Sequence, residues 1–475
     1  MIRSHSDVAL KKTVIDNGYC VGCGACAVPD NSPFSIKLDE FGQYRAYHQS
    51  RDNNATDTTD YEQLCPFGSR SQNEDWLSQK HVSKGCEHNA YLGFYDGVYA
   101  GHVRERAFRA KGSSGGMGTW ILSELLEQGM VDAVLHVKSV NAEVASHELP
   151  FTYQVSDTPE QIQQGGKSRY YPIELSEVLE IVKKNPKRYA VVGLPCFIKS
   201  IRLLQESEPE LAERIVYCVG LVCGHLKSAN YGESLAWQMG IPPEELREVD
   251  FRVKDPDKPA NRYSTYAKGV QQEQIIPTNQ LFGTDWGAGA FKYKACDFCD
   301  DVFAETADIV LGDAWLPSYI DDSQGTNIVI TRRAEIKSLL QKATSEKRIV
   351  LDDLPVQEAV KSQDAGLRHR KVNLHMRLEF AQALGNWTPK KRDFNGGVSQ
   401  PKYERQKQAL RVKMRDTSHA SFKAAKESND FSLYHSAMSP LYSKYKKVGL
   451  TLQFKLKSKV RGFLNRMSVI TGRKP

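Results

Sequence analysis

The sequence predicts an α/β protein in which a small cysteine-rich N-terminal domain precedes a mixed α/β body and a basic helical tail. Short runs of β-branched residues alternate with helical patterns from about residue 90 to about residue 350, and this alternation favours parallel strands covered by helices. Three closely spaced cysteines among glycines mark the N-terminus, and a change in charge near residue 400 marks the tail. We therefore expect domains at 1–85, 86–395 and 396–475.

The elements of the body follow from hydrophobic periodicity. Buried strands are predicted at 131–137, 189–194, 214–223 and 307–313. Helices are predicted between them at 119–129, 174–185 and 197–207. Residues 355–395 are expected to be helical and polar.

The tail differs from the rest of the chain in charge. Residues 401–475 contain 18 Lys+Arg and 4 Asp+Glu, whereas the whole chain of 475 residues has a net charge of only +7. Such a segment is either a solvated extension or a contact with an anionic partner, which could be a membrane surface, nucleic acid or an acidic protein. Of these partners, an anionic membrane surface is the one we predict. Apolar residues recur there at helical spacing: Leu456, Val460, Phe463, Leu464 and Met467.

The expected location is the cytoplasm. The sequence has no run of about 18 uncharged apolar residues that would cross a membrane, and its first residues lack the apolar core of a signal peptide. The ten cysteines are then more consistent with metal or redox chemistry than with disulfides.

The first cysteine group is the most specific signal in the chain. Cys20, Cys23 and Cys26 follow one another at two-residue spacing among glycines, and Cys65 precedes a proline. Zinc sites usually show two separated Cys-x-x-Cys pairs. Three cysteines at this spacing with a remote Cys-Pro favour a 4Fe–4S cluster over zinc.

A second group of cysteines is more scattered. Cys196 and Cys223 each end a predicted strand, and Cys296 and Cys299 form a Cys-x-x-Cys pair. Functional groups gather at the carboxyl ends of parallel strands, so these four predict a second thiolate site. Alternatively, Cys196 and Cys223 are small buried hydrophobic residues.

A candidate phosphate-binding loop precedes the helix predicted at 119–129. It contains Ser113, Ser114, Gly115 and Gly116, whose backbone N–H groups and hydroxyls suit a phosphate. The same residues also make an ordinary helix cap. A second loop at 165–170 adds Lys167, and it is either a ligand contact or a basic surface loop.

Taken together, these motifs resemble the coenzyme F420 hydrogenase/dehydrogenase beta-subunit family, which includes 7-hydroxymethyl chlorophyll a reductase. The resemblance covers about residues 15–395. Its marks are the two cysteine groups, SSGG at 113–116, GKSRYY at 166–171, VGLPCFI at 192–198, LVCGHLKS at 221–228, FRVK at 251–254, CDFCDDVFAETADIVLGDAW at 296–315, TNIVITR at 326–332 and the segment 363–370.

The resemblance implies an iron–sulfur flavoprotein oxidoreductase. Such a protein usually carries FAD and two 4Fe–4S clusters, the second bound by Cys196, Cys223, Cys296 and Cys299. It implies a ferredoxin-like iron–sulfur domain at 1–85 and a flavin-binding body at 86–395 that also holds the second cluster. The SSGG loop and Lys167 would approach flavin or substrate. Candidate proton donors are Lys167, His225 and Asp313.

Three functions remain as hypotheses. In the first, a ferredoxin-like or reduced deazaflavin donor passes electrons through the clusters to FAD and a small-molecule substrate. In the second, the chain is a non-catalytic electron-transfer subunit that docks a partner enzyme. The third is a zinc-stabilised binding protein that uses its tail on nucleic acid.

Overall fold

The computed structural model describes residues 6–49, 58–140, 149–394 and 401–448. The strands within these ranges are β1 Phe34–Leu38, β2 Tyr44–His48, β3 Glu87–Asn89, β4 Gly93–Tyr95, β5 Gly97–Val103, β6 Ala133–Ser139, β7 Phe151–Ser156, β8 Tyr189–Gly193, β9 Ile215–Leu221, β10 Glu248–Val253, β11 Ser264–Lys268, β12 Glu273–Pro277, β13 Ile309–Asp313, β14 Asn327–Thr331 and β15 Ile349–Asp353.

Helices account for most of the remaining regular structure. They are α1 Ser6–Leu10, α2 Tyr61–Leu64, α3 Glu74–His81, α4 Phe108–Lys111, α5 Met117–Glu127, α6 Pro159–Gln163, α7 Ser176–Lys184, α8 Pro195–Gln205, α9 Pro209–Arg214, α10 Ala229–Gln238, α11 Ala334–Ser345, α12 Val356–Ser362, α13 Asp364–Leu367, α14 Leu374–Ala383, α15 Lys402–Ser428 and α16, residues 431–448. Two π-helical turns cover Lys11–Ile15 and Arg368–Val372. No helix in the described ranges has the length and apolar composition needed to cross a membrane.

A mixed eight-stranded sheet forms the centre of the body, in the order β15-β5-β14-β13-β9-β8-β6-β7. Its four central strands, β13, β9, β8 and β6, are parallel. The strands on either side pair antiparallel. The predicted α/β body is therefore confirmed, with antiparallel strands added at both sides of the predicted parallel core.

The predicted strands and helices are explained by residue type and by the spacing of the apolar positions. β8 and β9 are rich in β-branched residues and lie largely buried in the sheet. Helix α7 buries Val178, Leu179 and Val182, which lie on one face at helical spacing. Helix α8 starts with Pro195. Proline suits the first helical turn because N–H groups there have no acceptor within the helix, so the lack of an N–H costs nothing.

Three smaller sheets accompany the large one. β1 and β2 pair antiparallel beside the first cysteine group, β3 pairs with β4, and β10, β11 and β12 form a three-stranded antiparallel sheet. In the β1–β2 pair, β2 lies against the loop that carries Cys20, Cys23 and Cys26.

Helices α15 and α16 pack on the body although the segment is rich in lysine. α15 buries Met414, Phe422 and Ala425, and α16 buries Tyr434 and Met438. The apolar positions expected between 456 and 467 lie outside the described residues, so the predicted contact with an anionic surface stays a prediction.

His419 fixes part of this packing. Its Nε2 lies 3.1 Å from Gln43 Nε2 and 3.3 Å from the Lys292 carbonyl oxygen. Burial is the main cause that lowers the pKa of His419, to about 4 from an ordinary value of 6.5. The folded chain therefore keeps this imidazole neutral at pH values where the unfolded chain protonates it.

We predict that His419→Gln makes the protein less sensitive to acid. Between pH 6.5 and pH 4 the unfolded chain binds a proton that the folded chain does not, so stability falls as the pH falls. Going from pH 7 to pH 5 should cost the wild type about 2 kcal/mol through this residue. Urea unfolding at the two pH values measures the difference, and the exposed His435→Gln is the control; an equal pH dependence in both variants would contradict this role.

Candidate functional site

The first four cysteines surround a single apolar cavity. Cys20, Cys23, Cys26 and Cys65 line a space of about 350 Å³, including its opening to solvent. The other lining residues are largely aliphatic: Leu10, Val14, Ile15, Val21, Ala25, Ile36 and Ala46, with Gly24. The structure thus brings together the four cysteines that the spacing predicts as one ligand set.

Backbone geometry holds the cysteine loop in place. The N–H groups of Gly22 and Ala46 donate to Cys20 Sγ at 3.4 and 3.3 Å. Gly22 has φ +66°, and a Cβ there would lie 2.3 Å from the Tyr44 carbonyl oxygen. Only glycine permits this approach of β2 to the loop.

Burial raises the pKa values of the Cys23, Cys26 and Cys65 thiols, so these three stay protonated unless a cation is bound. Burial raises the pKa of Cys23 to about 12 and that of Cys26 well above its ordinary value. The neighbouring thiolates of Cys20, Cys23 and Cys65 raise the pKa of Cys26 further. Because thiolates and not thiols bind metals, this group becomes a good ligand set only when positive charge enters it.

The second four cysteines also converge. Cys196, Cys223, Cys296 and Cys299 line a cavity of about 280 Å³, including its opening. Cys196 lies at the start of α8 and Cys223 follows β9. Since β8 and β9 pair in parallel, the chain leaves both strands at the same edge of the sheet, as the sequence predicts.

A buried arginine covers the second group. Arg370 Nη1 lies 3.5 Å from Cys299 Sγ, and Nη2 lies 3.6 Å from Cys223 Sγ. The guanidinium also donates to the carbonyl oxygens of Asp301, at 2.6 Å, and Gly224. The sequence marked Arg370 only as the end of a segment similar to a family, because a single cation carries no spacing pattern that would assign it to a cysteine site.

The two cysteine groups are neighbours. Val21 lines both cavities. Burial raises the pKa of Cys196, and the thiolates of its own group and of Cys23 raise it further. In the described part of the chain no three Cys, His, Asp or Glu side chains converge closely enough to hold a single metal ion. A cubane cluster does not need such convergence, because each thiolate binds a different iron.

The predicted phosphate loop lies at the start of α5. Gly116 caps the helix with φ +83°. A Cβ on Gly115 would lie 2.8 Å from both Asn327 Oδ1 and the Gly101 carbonyl oxygen. Ser114 Oγ donates to the Thr326 carbonyl oxygen at 3.0 Å, so its hydroxyl hydrogen is already used; Ser113 Oγ accepts from Ser168 N at 2.8 Å.

Several cations surround this loop. Lys254 Nζ donates to the carbonyl oxygens of Ser114, at 2.9 Å, and Arg109. Burial, with Arg109, Lys167 and Arg252 nearby, lowers the pKa of Lys254 to about 8. The sequence placed Arg252 and Lys254 in a family-like FRVK run but gave them no role, and a short run with two cations has no specific signature.

The three predicted proton donors lie in two places. Lys167 Nζ lies 3.1 Å from Asp250 and 3.3 Å from the Arg252 carbonyl oxygen. Asp313 accepts two hydrogen bonds from the Arg252 guanidinium, at 2.8 and 3.1 Å. Lys167 and Asp313 therefore meet through Arg252, beside the SSGG loop.

His225 lies elsewhere, two residues after Cys223 of the second cysteine group. Its ring stacks on Trp286 at 4.4 Å, and Trp286 in turn contacts Tyr170 at 4.8 Å. Burial is the main cause that lowers the pKa of His225 well below its ordinary value. A neutral aromatic contact, His225–Trp286–Tyr170, thus lies between the second cysteine group and the neighbourhood of Arg252.

The structure combines a mixed α/β sheet, two adjacent four-cysteine cavities and a glycine loop that is surrounded by cations. This combination is typical of redox proteins. The profile for the N-terminal part of the coenzyme F420 hydrogenase/dehydrogenase beta subunit matches residues 98–180, and the profile for its C-terminal part matches residues 186–357. The chain belongs to the coenzyme F420 hydrogenase/dehydrogenase beta-subunit family, which confirms the resemblance inferred from the motifs.

Two curated relatives come from Methanocaldococcus jannaschii. The coenzyme F420-dependent sulfite reductase is 23% identical over 239 residues, which are 47% of this chain and 34% of the reductase. An uncharacterised protein is 23% identical over 271 residues, 54% of this chain and 89% of that protein. The chain thus matches about a third of the length of the reductase.

One solved structure is also similar. It is a chain of the xenon-derivatised F420-reducing NiFe hydrogenase complex from Methanosarcina barkeri, with 15% identity and a TM-score of 0.48 over 64% of this chain and 98% of that chain.

Proposed function

We propose that this protein is an iron–sulfur flavoprotein oxidoreductase. It passes electrons from a ferredoxin-like or reduced deazaflavin donor through two 4Fe–4S clusters to FAD and a small-molecule substrate. The observation that carries the proposal is the convergence of eight cysteines in two adjacent buried groups. Membership of the family and the similarity to a coenzyme F420-dependent sulfite reductase support a redox role.

Each cysteine group would hold one cluster. Cys20, Cys23, Cys26 and Cys65 would bind the first, and Cys196, Cys223, Cys296 and Cys299 the second. When bound, the clusters and flavin supply one-electron and two-electron chemistry. The protein contributes N–H donors to Cys20 and to Cys296, the latter from Leu226 N at 3.3 Å, and the positive charge of Arg370; both favour the more negative, reduced state.

The loop at 113–116 would bind the flavin phosphates. The backbone N–H groups at the start of α5 and the cations of Lys167, Arg252 and Lys254 attract an anionic group. Lys254, whose pKa is about 8, and Lys167 are the residues proposed to hold or release a proton there. Asp313 is engaged with Arg252, so its proposed task is to orient that guanidinium; His225 is proposed to exclude water between the second cluster and the flavin.

The second candidate function is an electron-transfer subunit without a substrate site. One observation favours it: the chain matches only 34% of the length of the sulfite reductase, as expected of a module that serves another catalytic part. Its partner would be an enzyme that receives electrons from this chain.

Anaerobic rapid mixing with reduced ferredoxin, or with reduced deazaflavin, tests the order of transfer. We expect both cluster and flavin absorbance to bleach, followed by turnover of a small-molecule acceptor. Bleaching of the clusters with no bound flavin and no turnover of any small molecule would favour the electron-transfer subunit. A colourless protein that contains zinc would contradict both functions.

A further inference from the structure

The loop between two ligands of the second group contains a buried carboxylate. Asp297 lies between Cys296 and Cys299 in the sequence, and its side chain is fully buried. It is bonded to Lys292 Nζ and to Arg415 Nη1, and Arg377 Nε donates to its carbonyl oxygen at 2.6 Å. A buried carboxylate is costly unless it is paired, so these partners determine where the loop lies.

Helix α15 supplies Arg415 and also contacts Arg377 and His369, two other residues that lie against Asp297. Gln408 Oε1 accepts from Arg377 Nη1 at 2.7 Å and lies 3.1 Å from His369 Nδ1. Arg411 Nη1 lies 2.9 Å from the same His369 nitrogen. Residues 408, 411 and 415 are three and four positions apart, so they lie on one face of α15, the face that meets the Cys296–Cys299 loop.

The part of the same helix that follows Arg415 is anchored on the body. Ser418 Oγ accepts from Phe291 N at 2.8 Å, and Lys426 pairs with Glu233 at 2.9 Å. Phe422 is fully buried against Phe291. α15 lies beyond residue 357, where the match to the family profile ends, so this chain uses a segment outside the matched region to hold a loop inside it.

We propose that α15 positions the second cysteine group, with Arg415 as the positioning residue. Arg415 holds Asp297, and through it the Cys296–Cys299 loop, in the shape in which four thiolates can receive one cluster. The proposal rests on the proposed function for the identity of the cluster. The contact between Arg415 and the loop does not depend on it.

The test compares Arg415→Met with Arg405→Met in the full chain, purified without oxygen. Arg405 lies on the same helix but is exposed and pairs with Glu379 at 3.0 Å. Loss of the buried donor to Asp297 should speed iron release to a chelator about tenfold for roughly half of the iron. Hydrogen exchange in a peptide covering 292–299 should rise by a similar factor, while a peptide covering 18–28 stays unchanged.

Equal iron release and equal exchange in Arg415→Met and Arg405→Met would overturn the proposal. If the wild type carries only one cluster, the proposed function fails, and exchange at 292–299 still decides the role of Arg415. Gln408→Ala keeps Arg415 but removes the acceptor for Arg377, so it should raise exchange in the same peptide by a smaller factor. If Arg415→Met does not fold, unchanged hydrogen exchange at 292–299 in Gln408→Ala would equally overturn the proposal. Arg415→Lys should keep most of the wild-type protection from exchange at 292–299.

Discussion

Cys20→Ser is expected to remove about four of about eight irons per chain and to stop electron transfer through the first cluster. Cys20 lines the first cavity and accepts two backbone N–H bonds, from Gly22 and Ala46. It is only partly buried, so serine fits the space without disturbing the packing. A serine hydroxyl ionises much less readily than a thiol and replaces it poorly as an iron ligand.

Cys86→Ser is the matched control. Cys86 is also partly buried, but its thiol donates to the carbonyl oxygens of Val82 and Arg332, and it lines neither cysteine cavity. The iron content and the visible spectrum of the Cys86→Ser variant should equal those of the wild type. If Cys20→Ser retained as much iron as Cys86→Ser, the first cysteine group would not be a cluster site.

Lys254→Met is expected to weaken flavin binding by about 10- to 100-fold, because a charge-assisted hydrogen bond to an anionic group is lost. Lys254 is half-buried beside the SSGG loop and donates to Ser114 O. Its pKa of about 8 gives a second signature: wild-type affinity should fall as the pH rises through about 8, where the ammonium loses its charge. The variant should lack that step.

Lys258→Met serves as the control for this prediction. Lys258 is exposed and pairs with Asp255 at 2.6 Å. Flavin affinity, measured by fluorescence titration between pH 6.5 and pH 9.5, should match the wild type in this variant. A Lys254→Met protein with wild-type affinity at every pH would remove the cationic cluster from the proposed flavin site.

The strands of the parallel core could be predicted from the sequence because each is a short buried run bounded by turns. β8 and β9 lie within one or two residues of their predicted limits. The antiparallel partners β5, β14 and β15 could not be predicted in the same way. Hydrophobic pattern indicates which residues are buried, but the direction in which two strands pair depends on contacts across the whole sheet.

The packing of α15 on the body also could not be predicted from the sequence. Net charge averages over a segment, whereas burial depends on one face of the helix. Met414, Phe422 and Ala425 form such a face within a lysine-rich stretch. Net charge alone therefore does not show that residues 402–448 pack on the body, and contact of the tail with an anionic surface stays a prediction.

In the candidate sites, too, some residues could be predicted from the sequence and others could not. A group of cysteines can be recognised from the spacing of its members in the sequence, since several thiolates must reach one cluster. Arg370 and Arg415 do not, because each is a single cation brought to its site by the fold alone. The sequence therefore predicts which cysteines lie together, but not the charged residues that surround them.

The most direct test of the central claim is the composition of the protein purified without oxygen. Iron, sulfide, zinc and released flavin are counted per chain, with a visible spectrum before and after dithionite. We expect about eight irons, about eight sulfides and one FAD, as two 4Fe–4S clusters with one flavin require. Four or fewer irons with no flavin, or zinc in place of iron, would contradict the two-cluster flavoprotein.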